Sequence, residues 1–511
     1  MDMDSLLFGA TFATALVFGL LLYLFSSKSY ANLPPGPPRK LFSTLGSQGV
    51  GSTKPLWQRF DDLHHLYGPV VSTFQGKTVV IVLGTIKAAT DLLEKRGRIY
   101  SSRPRNIMAG EILSGGMRGL GMPYGSRWRN WRSLMHAGMS IEASQNYKAL
   151  QSIESKILLH DLINEPLQMA YRSHFTRFAA SIAFCIGYGR RIRSLDDPLV
   201  VANSKVDECA TQGKYIVESW PILLKLPRFM QWFRWDPEAQ RKTETALFTS
   251  LMDDVRDQIK RGVAKPSIAK RGLEKQADFG LSDLETAYAC SAPFTAGVTT
   301  TISVIDVFFL AMLHHPGIMR KAQVELDSVV GSSRMPDFED AGSLPYIQAI
   351  IKESMRWRPI APLAVPHNLI ADDTYNSMYL PKDSTVVANL YSMSLDPEEF
   401  HRPDQFIPER YLEEGPHSNF YFGFGRRICP GMHIAQNSLL IILSRILWAF
   451  TISPVKDKNG RDVLPPVDSF EGGLVARPAP FVYGLTPRNE DIRALILEEW
   501  AKADEEGSSW L

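Results

Sequence analysis

The stretch Phe422-Gly-Phe-Gly-Arg-Arg-Ile-Cys-Pro-Gly431 surrounds one cysteine, Cys429, with the features that a metal-bound thiolate needs. Its first two glycines permit tight backbone turns, and its last glycine would let the backbone approach a flat ligand closely. The apolar run 434–447 predicts a helix directly after the cysteine. A helix N-terminus favours a thiolate, and Arg427 adds a positive charge two residues away. We therefore predict that this cysteine is an anion at neutral pH.

Two simpler explanations of the cysteine fit the surrounding sequence poorly. A structural zinc site usually takes four Cys or His ligands in paired spacing, whereas His433 is the only close histidine and no second cysteine lies nearby. A buried structural cysteine would behave as a small apolar residue. Such a cysteine does not call for glycines, arginines and aromatic residues in this order.

The order of residues around the cysteine resembles the haem-binding signature of the cytochrome P450 family. That signature reads Phe-x-x-Gly-x-Arg-x-Cys-x-Gly and is filled here by Phe422, Gly425, Arg427, Cys429 and Gly431. The resemblance implies a mostly α-helical fold with a smaller β-rich region. It also implies haem b as the cofactor, with Cys429 as the axial ligand of the iron and Phe422, Arg427 and Gly431 beside the haem.

The composition is that of a globular protein with a large core. The chain has 511 residues, of which 45% are hydrophobic, and its formal net charge is +2. This small charge and the lack of a basic tract argue against a nucleic-acid partner. Its four cysteines show no paired spacing, which indicates a reducing compartment. Without an internal repeat or a sharp compositional boundary, we predict one body.

An uncharged segment of about twenty residues, 6–25, is long enough to cross a bilayer as a helix. No basic residue precedes the segment and no convincing cleavage site follows it, so we predict a retained anchor and not a signal peptide. Asp2 and Asp4 precede the segment whereas Lys28 follows it. The positive-inside tendency then places the rest of the chain in the cytosol.

Prolines at 33–38 predict a stiff extended linker after the anchor. By resemblance, this linker is the hinge that orients microsomal family members on the membrane. The chain then divides into an anchor at 1–30 and a haem-binding catalytic domain at 31–511. We expect a single-pass protein of the endoplasmic reticulum that contacts membrane lipid.

Apolar periodicity predicts local structure in the first part of the body. Helical spacing occurs at 57–66 and 86–97, and β-rich runs at 70–74 and 78–82 predict a hairpin. Residues 101–125 are rich in glycine and methionine with weak periodicity, which predicts a long loop. The resemblance makes this loop a lid over the substrate pocket.

The segment 284–314 is apolar nearly all round, which predicts a helix through the middle of the protein. Ala296-Gly-Val-Thr-Thr-Thr301 interrupts it with glycine and hydroxyl groups. Because glycine costs about 1 kcal/mol in a helix interior, its use indicates that something flat needs space there. A threonine hydroxyl that bonds to a carbonyl one turn earlier can also open a helix locally.

By resemblance this segment lies over the haem, and Thr300 matches a threonine that helps to deliver protons to oxygen. Thr299 stands where most family members carry Asp or Glu. The departure leaves the usual acid–alcohol proton relay in doubt. Water chains with Thr299 or Thr301 are one substitute, and simple packing of the threonines is the other interpretation.

Three side chains are candidates for the haem propionates. Trp128 and Arg132 are four residues apart and share a helix face, which resembles the family's Trp-x-x-x-Arg pair. A guanidinium fork and an indole N–H both suit a carboxylate. His367 follows a proline-rich run at 359–365, and by resemblance it also meets a propionate.

Two charged motifs that precede the cysteine in the chain are expected to have a structural role. Glu353 and Arg356 resemble the family's Glu-x-x-Arg pair, and Arg410 resembles the arginine that completes a buried charge triad. Removing one member of such a cluster leaves the others as unpaired buried charges. The triad would therefore stabilise the haem pocket.

The resemblance covers roughly residues 30–490 and is greatest for membrane-anchored fungal members of secondary metabolism. It implies a haem-thiolate monooxygenase that inserts one oxygen atom from O2 into a lipophilic small molecule, such as a terpenoid, alkaloid or polyketide. The chain shows no nucleotide-binding fingerprint or flavin domain, so electrons are expected from a separate NADPH–cytochrome P450 reductase.

Two alternatives belong to other functional classes. A haem-thiolate isomerase or dehydratase would need no reductase, which the missing acid beside Thr300 would permit. Strict dependence on O2 and NADPH would exclude it. A non-catalytic haem-binding or scaffold protein is the second, and the intact set of Cys429, Glu353 and Arg356 argues against it.

Overall fold

The structure is a computed structural model that describes residues 31–38, 54–164, 171–198, 200–201, 215–412 and 419–510. The anchor predicted at 6–25 lies outside these residues. The described body is mostly helical with smaller sheets, as the sequence predicts.

Helices of eight or more residues form most of the described body. They are α1 (Leu56–Tyr67), α2 (Ser126–Met139), α3 (Lys148–Asn164), α4 (Tyr171–Tyr188), α5 (Trp235–Lys260), α6 (Asp283–Cys290), α7 (Ala292–His314), α8 (Pro316–Val329), α9 (Pro345–Trp357), α10 (Met432–Ala449) and α11 (Glu490–Gly507). Shorter helical segments are Ile86–Ala89, Gly97–Tyr100, Ile141–Gln145, Ile216–Ser219, Ile268–Glu274, Gln276–Phe279 and Leu390–Ser394, with π-helical segments at Thr90–Lys95 and Ile107–Leu113.

The strands are short and lie in small sheets. They are β1 (Val70–Gln75), β2 (Thr78–Leu83), β3 (His367–Asn368), β4 (Asp373–Tyr375), β5 (Met378–Leu380), β6 (Thr385–Ala388), β7 (Phe450–Lys456), β8 (Asp462–Val463), β9 (Phe470–Gly472), β10 (Ala476–Pro478) and β11 (Tyr483–Pro487). The sheet orders are β1-β2-β6-β3, β4-β5, β9-β10 and β11-β7-β8.

The predicted hairpin is confirmed as the antiparallel pair β1–β2, in which Val70 pairs with Leu83 and Gln75 with Thr78. Gly76 forms the turn at φ 60°, a conformation that glycine adopts without strain. Strand β2 runs parallel to β6, and β6 pairs with the edge strand β3. This sheet fixes the position of His367 on β3.

The long apolar segment predicted at 284–314 is helical in two parts, α6 and α7. Ser282 and Glu285 form a reciprocal capping box at the start of α6. Every residue of α7 from 302 to 313 is buried, and the helix packs mainly against α4, β10 and α9. Helix Asp283–His314 is long and apolar enough to cross a membrane, but 67% of its most apolar window is buried inside the protein.

Residues 101–125 are only in part the long loop that we predicted. They contain the π-helical segment Ile107–Leu113, which buries four apolar side chains. Asn106 caps its start, and the Glu218 carboxylate accepts the backbone N–H groups of its first two residues at 3.2 and 2.6 Å. The wider π-helical turn does not follow the 3.6-residue period, so periodicity did not reveal it.

Helix α11 packs along α3 at the C-terminal end of the described chain. It buries Ile492, Ile496 and Ala503. Its last turn packs closely against the guanidinium of Arg191. A Cβ on Gly507 would lie only 2.6 Å from Arg191 Nη1. Arg191 in turn donates to the fully buried carboxylate of Glu154 on α3 at 2.6 Å.

Candidate active site

The cysteine lies in a tight loop immediately before α10. The backbone N–H of Cys429 donates to the Phe422 carbonyl at 2.9 Å, and the cysteine is half-buried. The turn glycines behave as predicted, since Gly423 and Gly425 have φ values of 86° and 56°. A Cβ on Gly425 would overlap the Leu93 carbonyl oxygen. The loop conformation therefore depends on these two glycines.

Gly431 has a different role from the turn glycines. Its φ is −88°, and a Cβ there would meet only Met139 Sδ at 3.9 Å, which is ordinary contact. The polypeptide alone does not require glycine at this position. The close approach that we predicted for this glycine would therefore be to a ligand.

The positive charge that acts on the thiol is Arg132 and not Arg427, which corrects our prediction. Arg132 Nη1 donates to the Ile428 carbonyl at 2.7 Å. Burial raises the pKa of the Cys429 thiol, whereas the Gly431 backbone N–H and the charge of Arg132 lower it. The protein groups alone therefore do not favour the thiolate that we predicted. A metal cation is the group that would deprotonate this thiol on binding.

Arg427 points away from the thiol and binds the chain between α2 and the short helix Gly97–Tyr100. It donates to the carbonyl of Ser101 at 2.7 Å and to that of Met122 at 2.6 Å. Its guanidinium carbon lies 4.1 Å from the ring centre of Trp128, which is buried. Trp128 therefore orients Arg427 by a cation–π contact.

A third arginine, Arg103, joins this group and was missed from the sequence. Its Nη1 donates to the carbonyls of Val365 and Pro366 at 2.6 and 2.8 Å, and its Nε to that of Leu120 at 3.2 Å. It is 7% exposed. An isolated arginine before a proline in a predicted loop gives no signal of burial, so only the fold could reveal it.

Arg103, Arg132 and Arg427 form no ion pair with a carboxylate among the described residues, and their hydrogen bonds go to backbone carbonyls. Burial, and then the charge of Arg427, lowers the pKa of Arg103 to about 9. Burial, and then the charge of Arg132, lowers the pKa of Arg427 to about 10. Desolvated cations without an anion are costly. The donor set therefore fits a ligand with two carboxylates, such as the propionates of haem.

His367 lies beside these arginines as a neutral ring. It is 4% exposed, and its Nδ1 lies 2.8 Å from the Tyr100 carbonyl, to which the neutral ring donates. Burial, and then the charge of Arg103, lowers the pKa of His367 to about 3. His367 therefore offers a hydrogen-bonding group and no charge until an anion binds next to it.

The N-terminal half of α7 is less buried than the rest of the helix. Residues 295–301 are half-buried or exposed, whereas residues 302–313 are buried. Thr300 Oγ1 donates to the Ala296 carbonyl at 2.7 Å, and Thr301 Oγ1 donates to the Gly297 carbonyl at 2.6 Å. The helix continues through these bonds, so they do not open it locally as we predicted.

Thr299 differs from Thr300 and Thr301. It is exposed, and its hydroxyl makes no hydrogen bond to any part of the chain that the structure describes. A free hydroxyl thus stands where most members of the suggested family carry a carboxylate.

The structure brings Glu353, Arg356 and Arg410 together. Glu353 and Arg356 are completely buried and form two hydrogen bonds of 2.7 and 2.8 Å. Glu353 also contacts Arg410 Nε at 3.2 Å and accepts the backbone N–H of Ile407 at 2.8 Å. The cluster ties α9 to the segment that leads to the cysteine loop.

Comparison with known proteins gives the family. The model of the family described as Cytochrome P450 matches residues 34–483. Cytochrome P450 monooxygenase 58 of Postia placenta is 37% identical over 510 residues, which cover 96% of this chain and 95% of the relative. A cytochrome P450 monooxygenase of Armillaria gallica is 34% identical, covering 92% and 94%, and one of Hypocrea virens is 35% identical, covering 92% and 88%.

Solved structures support the same fold. A zebrafish cytochrome P450 solved with abiraterone superposes with a TM-score of 0.70 at 24% identity, covering 85% of this chain and 100% of that chain. A structure of zebrafish cytochrome P450 with progesterone gives a TM-score of 0.72 at 22% identity with the same coverage.

The charge cluster on α9 generates a prediction about stability. Glu353→Ala leaves the buried guanidinium of Arg356 unpaired, so we expect the free energy of unfolding to fall by about 3–5 kcal/mol. Glu490→Ala removes an exposed partner of Arg493 at the same i,i+3 spacing and should cost less than about 1 kcal/mol. Urea denaturation followed by circular dichroism measures both. Equal losses in the two variants would contradict the structural role of the cluster.

Proposed function

The chain belongs to the cytochrome P450 family and is a monooxygenase, and we propose that it serves fungal secondary metabolism at a membrane. Monooxygenases of this family use O2, a lipophilic substrate and a redox partner. The proposed reaction inserts one oxygen atom from O2 into a terpenoid, alkaloid or polyketide. The half-buried cysteine loop, surrounded by arginines that lack carboxylate partners, is the observation that carries the proposal.

Family membership implies a haem-iron cofactor, and we assign it as haem b. When bound, the haem supplies an iron whose thiolate ligand favours cleavage of the O–O bond. In this assignment the Cys429 sulfur would bind the iron, and Phe422 and Gly431 would line the haem. Arg103, Arg132, Arg427 and His367 would hold the propionates, and Trp128 orients Arg427. Glu353, Arg356 and Arg410 keep the loop in place.

The proposed reaction consumes two electrons and two protons for each O2, and its products are the oxygenated substrate and water. Thr300 Oγ1 donates to the Ala296 carbonyl, so its lone pairs remain available to accept a proton and pass another on. Thr299 supplies a second hydroxyl that is not tied to the helix. We assign the transfer of protons into the pocket to these two side chains.

The electrons would come from NADPH–cytochrome P450 reductase. Arg98, Arg129 and Arg426 are exposed, and none pairs with a carboxylate within the described ranges. Arg129 and Arg426 both lie against the ring of Tyr124, and Arg426 is three residues from Cys429. This basic patch beside the cysteine loop suits an acidic docking surface on a reductase.

Two features support a place at the membrane of the endoplasmic reticulum. The first is the uncharged segment 6–25, with the catalytic domain at 31–511 in the cytosol. The second is an exposed apolar surface in the segment 216–235, which we call the apolar edge. It contains Trp220, Ile222, Phe229, Met230, Trp232 and Trp235, with exposures from 42% to 77%. Tryptophan is enriched at membrane interfaces, so the apolar edge suits contact with lipid.

Ligation by Cys429 can be tested by spectroscopy. Cys429→His should lose the absorption band that marks thiolate-ligated haem in the reduced protein with carbon monoxide. Cys290→Ala changes a cysteine that is fully buried in α6 and should keep the band. An unchanged spectrum in Cys429→His would exclude Cys429 as the ligand.

Proton delivery can be tested with reductase and NADPH by measuring the fraction of electrons recovered as hydrogen peroxide. Thr300→Ala should raise this fraction, because positioned proton transfer contributes about 10²–10⁴-fold to rates. Thr295→Ala, five residues earlier, removes another hydroxyl that bonds to a helix carbonyl, and it should leave this fraction unchanged. Unchanged peroxide in Thr300→Ala would remove Thr300 from the mechanism and favour a reductase-independent isomerase or dehydratase.

Membrane attachment can be tested by truncation. Deleting residues 1–28 should release part of the protein from membranes and keep haem binding, with the remainder held by the apolar edge. Adding Phe229→Ser and Trp232→Ser should release the remainder, whereas Leu497→Ser, which alters an exposed leucine on α11, should not. Sedimentation with microsomes measures the bound fraction. Complete loss of haem from a folded, soluble truncation would contradict the proposed division into anchor and catalytic domain.

A further inference from the structure

Asp306 is a carboxylate in the most buried part of α7. It is 5% exposed, and it lies within the run 302–313 in which every residue is buried. The other side chain of α7 that can carry a charge is His314 at its last residue. Burying a carboxylate costs free energy unless it is paired, so its presence in this apolar helix calls for a physical reason.

The carboxylate lies where α7 meets α4 and the β9–β10 hairpin. Arg172 Nη2 on α4 donates to Asp306 Oδ2 at 2.7 Å, and the Arg172 side chain is 28% exposed. The charged and titratable groups that face Asp306 are Arg172 and Tyr171 on α4, Glu471 and Arg477 on the hairpin, and Tyr483 on β11. Burial raises the pKa of Asp306 to about 6, although Arg172 and Arg477 lower it.

Asp306 shares a helix face with the free hydroxyl of Thr299. Thr299, Ser303 and Asp306 follow one another at spacings of four and three residues, which places them in a row over about 10 Å of helix. Ser303 is completely buried, and its Oγ donates to the Thr299 carbonyl at 2.8 Å. The row begins at the exposed part of α7 and ends at a carboxylate whose partner reaches the surface.

We propose that Asp306 supplies protons to the pocket in place of the carboxylate that most family members carry at position 299. A proton from bulk water binds the Asp306 carboxylate at the edge beside Arg172. Asp306 passes it to Ser303 Oγ, the hydroxyl proton of Ser303 moves to Thr299 Oγ1, and the hydroxyl proton of Thr299 enters the pocket. Asp306 returns to the carboxylate, and no electrons move.

This inference rests on the proposed function, because the protons are those consumed with O2. Ser303 rotates away from the Thr299 carbonyl when it transfers its proton. Asp306 acts through Ser303 and touches no reacting atom, so it is a positioning residue. A purely structural ion pair between α4 and α7 makes a different prediction, because an asparagine at 306 still accepts a hydrogen bond from Arg172.

The test compares Asp306→Asn, Asp306→Glu and Ser303→Ala with the wild type in the reductase assay with NADPH. Asp306→Asn and Ser303→Ala should raise the fraction of electrons recovered as hydrogen peroxide, and their rate of complete oxygen reduction should fall by about 10²-fold. Asp306→Glu should restore most of the wild-type rate. The control Asp340→Asn alters a carboxylate paired with Arg334 and should leave coupling unchanged.

A second measurement needs no turnover. Infrared difference spectra of the resting protein at pH 5 should show a protonated carboxyl group that is absent from Asp306→Asn, because ordinary Asp side chains are ionised there. If the wild type consumes no NADPH with O2, the proposed function fails, and the inference with it. If the wild type turns over while Asp306→Asn and Ser303→Ala keep its coupling and its pH profile, the inference alone is overturned.

Discussion

The site depends on positive charge, buried or half-buried, that the described polypeptide does not neutralise. Arg103, Arg132 and Arg427 donate to carbonyls from segments far apart in sequence, including Ser101, Leu120, Val365 and Ile428. These hydrogen bonds hold the segments around the cysteine loop, but neutral carbonyls offset the cost of burying a guanidinium only in part. Binding of a dianionic cofactor would supply the missing charge. A ligand that supplies this charge to the folded site would therefore stabilise the fold.

Local features of the fold could be predicted from the sequence because each depends on neighbouring residues. The β1–β2 hairpin and α10 follow from apolar periodicity, and the turns at Gly423 and Gly425 follow from the freedom of glycine. The π-helical segment Ile107–Leu113 could not be predicted, because its period matches neither that of an α-helix nor that of a β-strand.

Much of the geometry of the site could not be predicted because it depends on contacts between distant segments. Spacing along the chain places Arg427 two residues from Cys429 but does not give the direction of its side chain, which turns towards Trp128. The burial of Arg103 depends on the carbonyls of Val365 and Pro366, more than 250 residues away. The neutral state of His367 likewise depends on its burial and then on the charge of Arg103, and periodicity detects neither. The sequence motifs thus identified most of the site residues, but only the fold showed which groups their side chains contact.

The docking of α11 on α3 has a consequence for the order in which the chain assembles during synthesis. The ion pair between Glu154 and Arg191 joins α3 to the chain after α4, but the turn that covers Arg191 comes from Gly507 and the residues around it. Until the residues around Gly507 have left the ribosome, that face of the nascent protein remains hydrated. Closure of this face therefore follows the synthesis of α11, and a stop codon shortly before α11 would yield a chain in which the ion pair of Glu154 and Arg191 stays open to water.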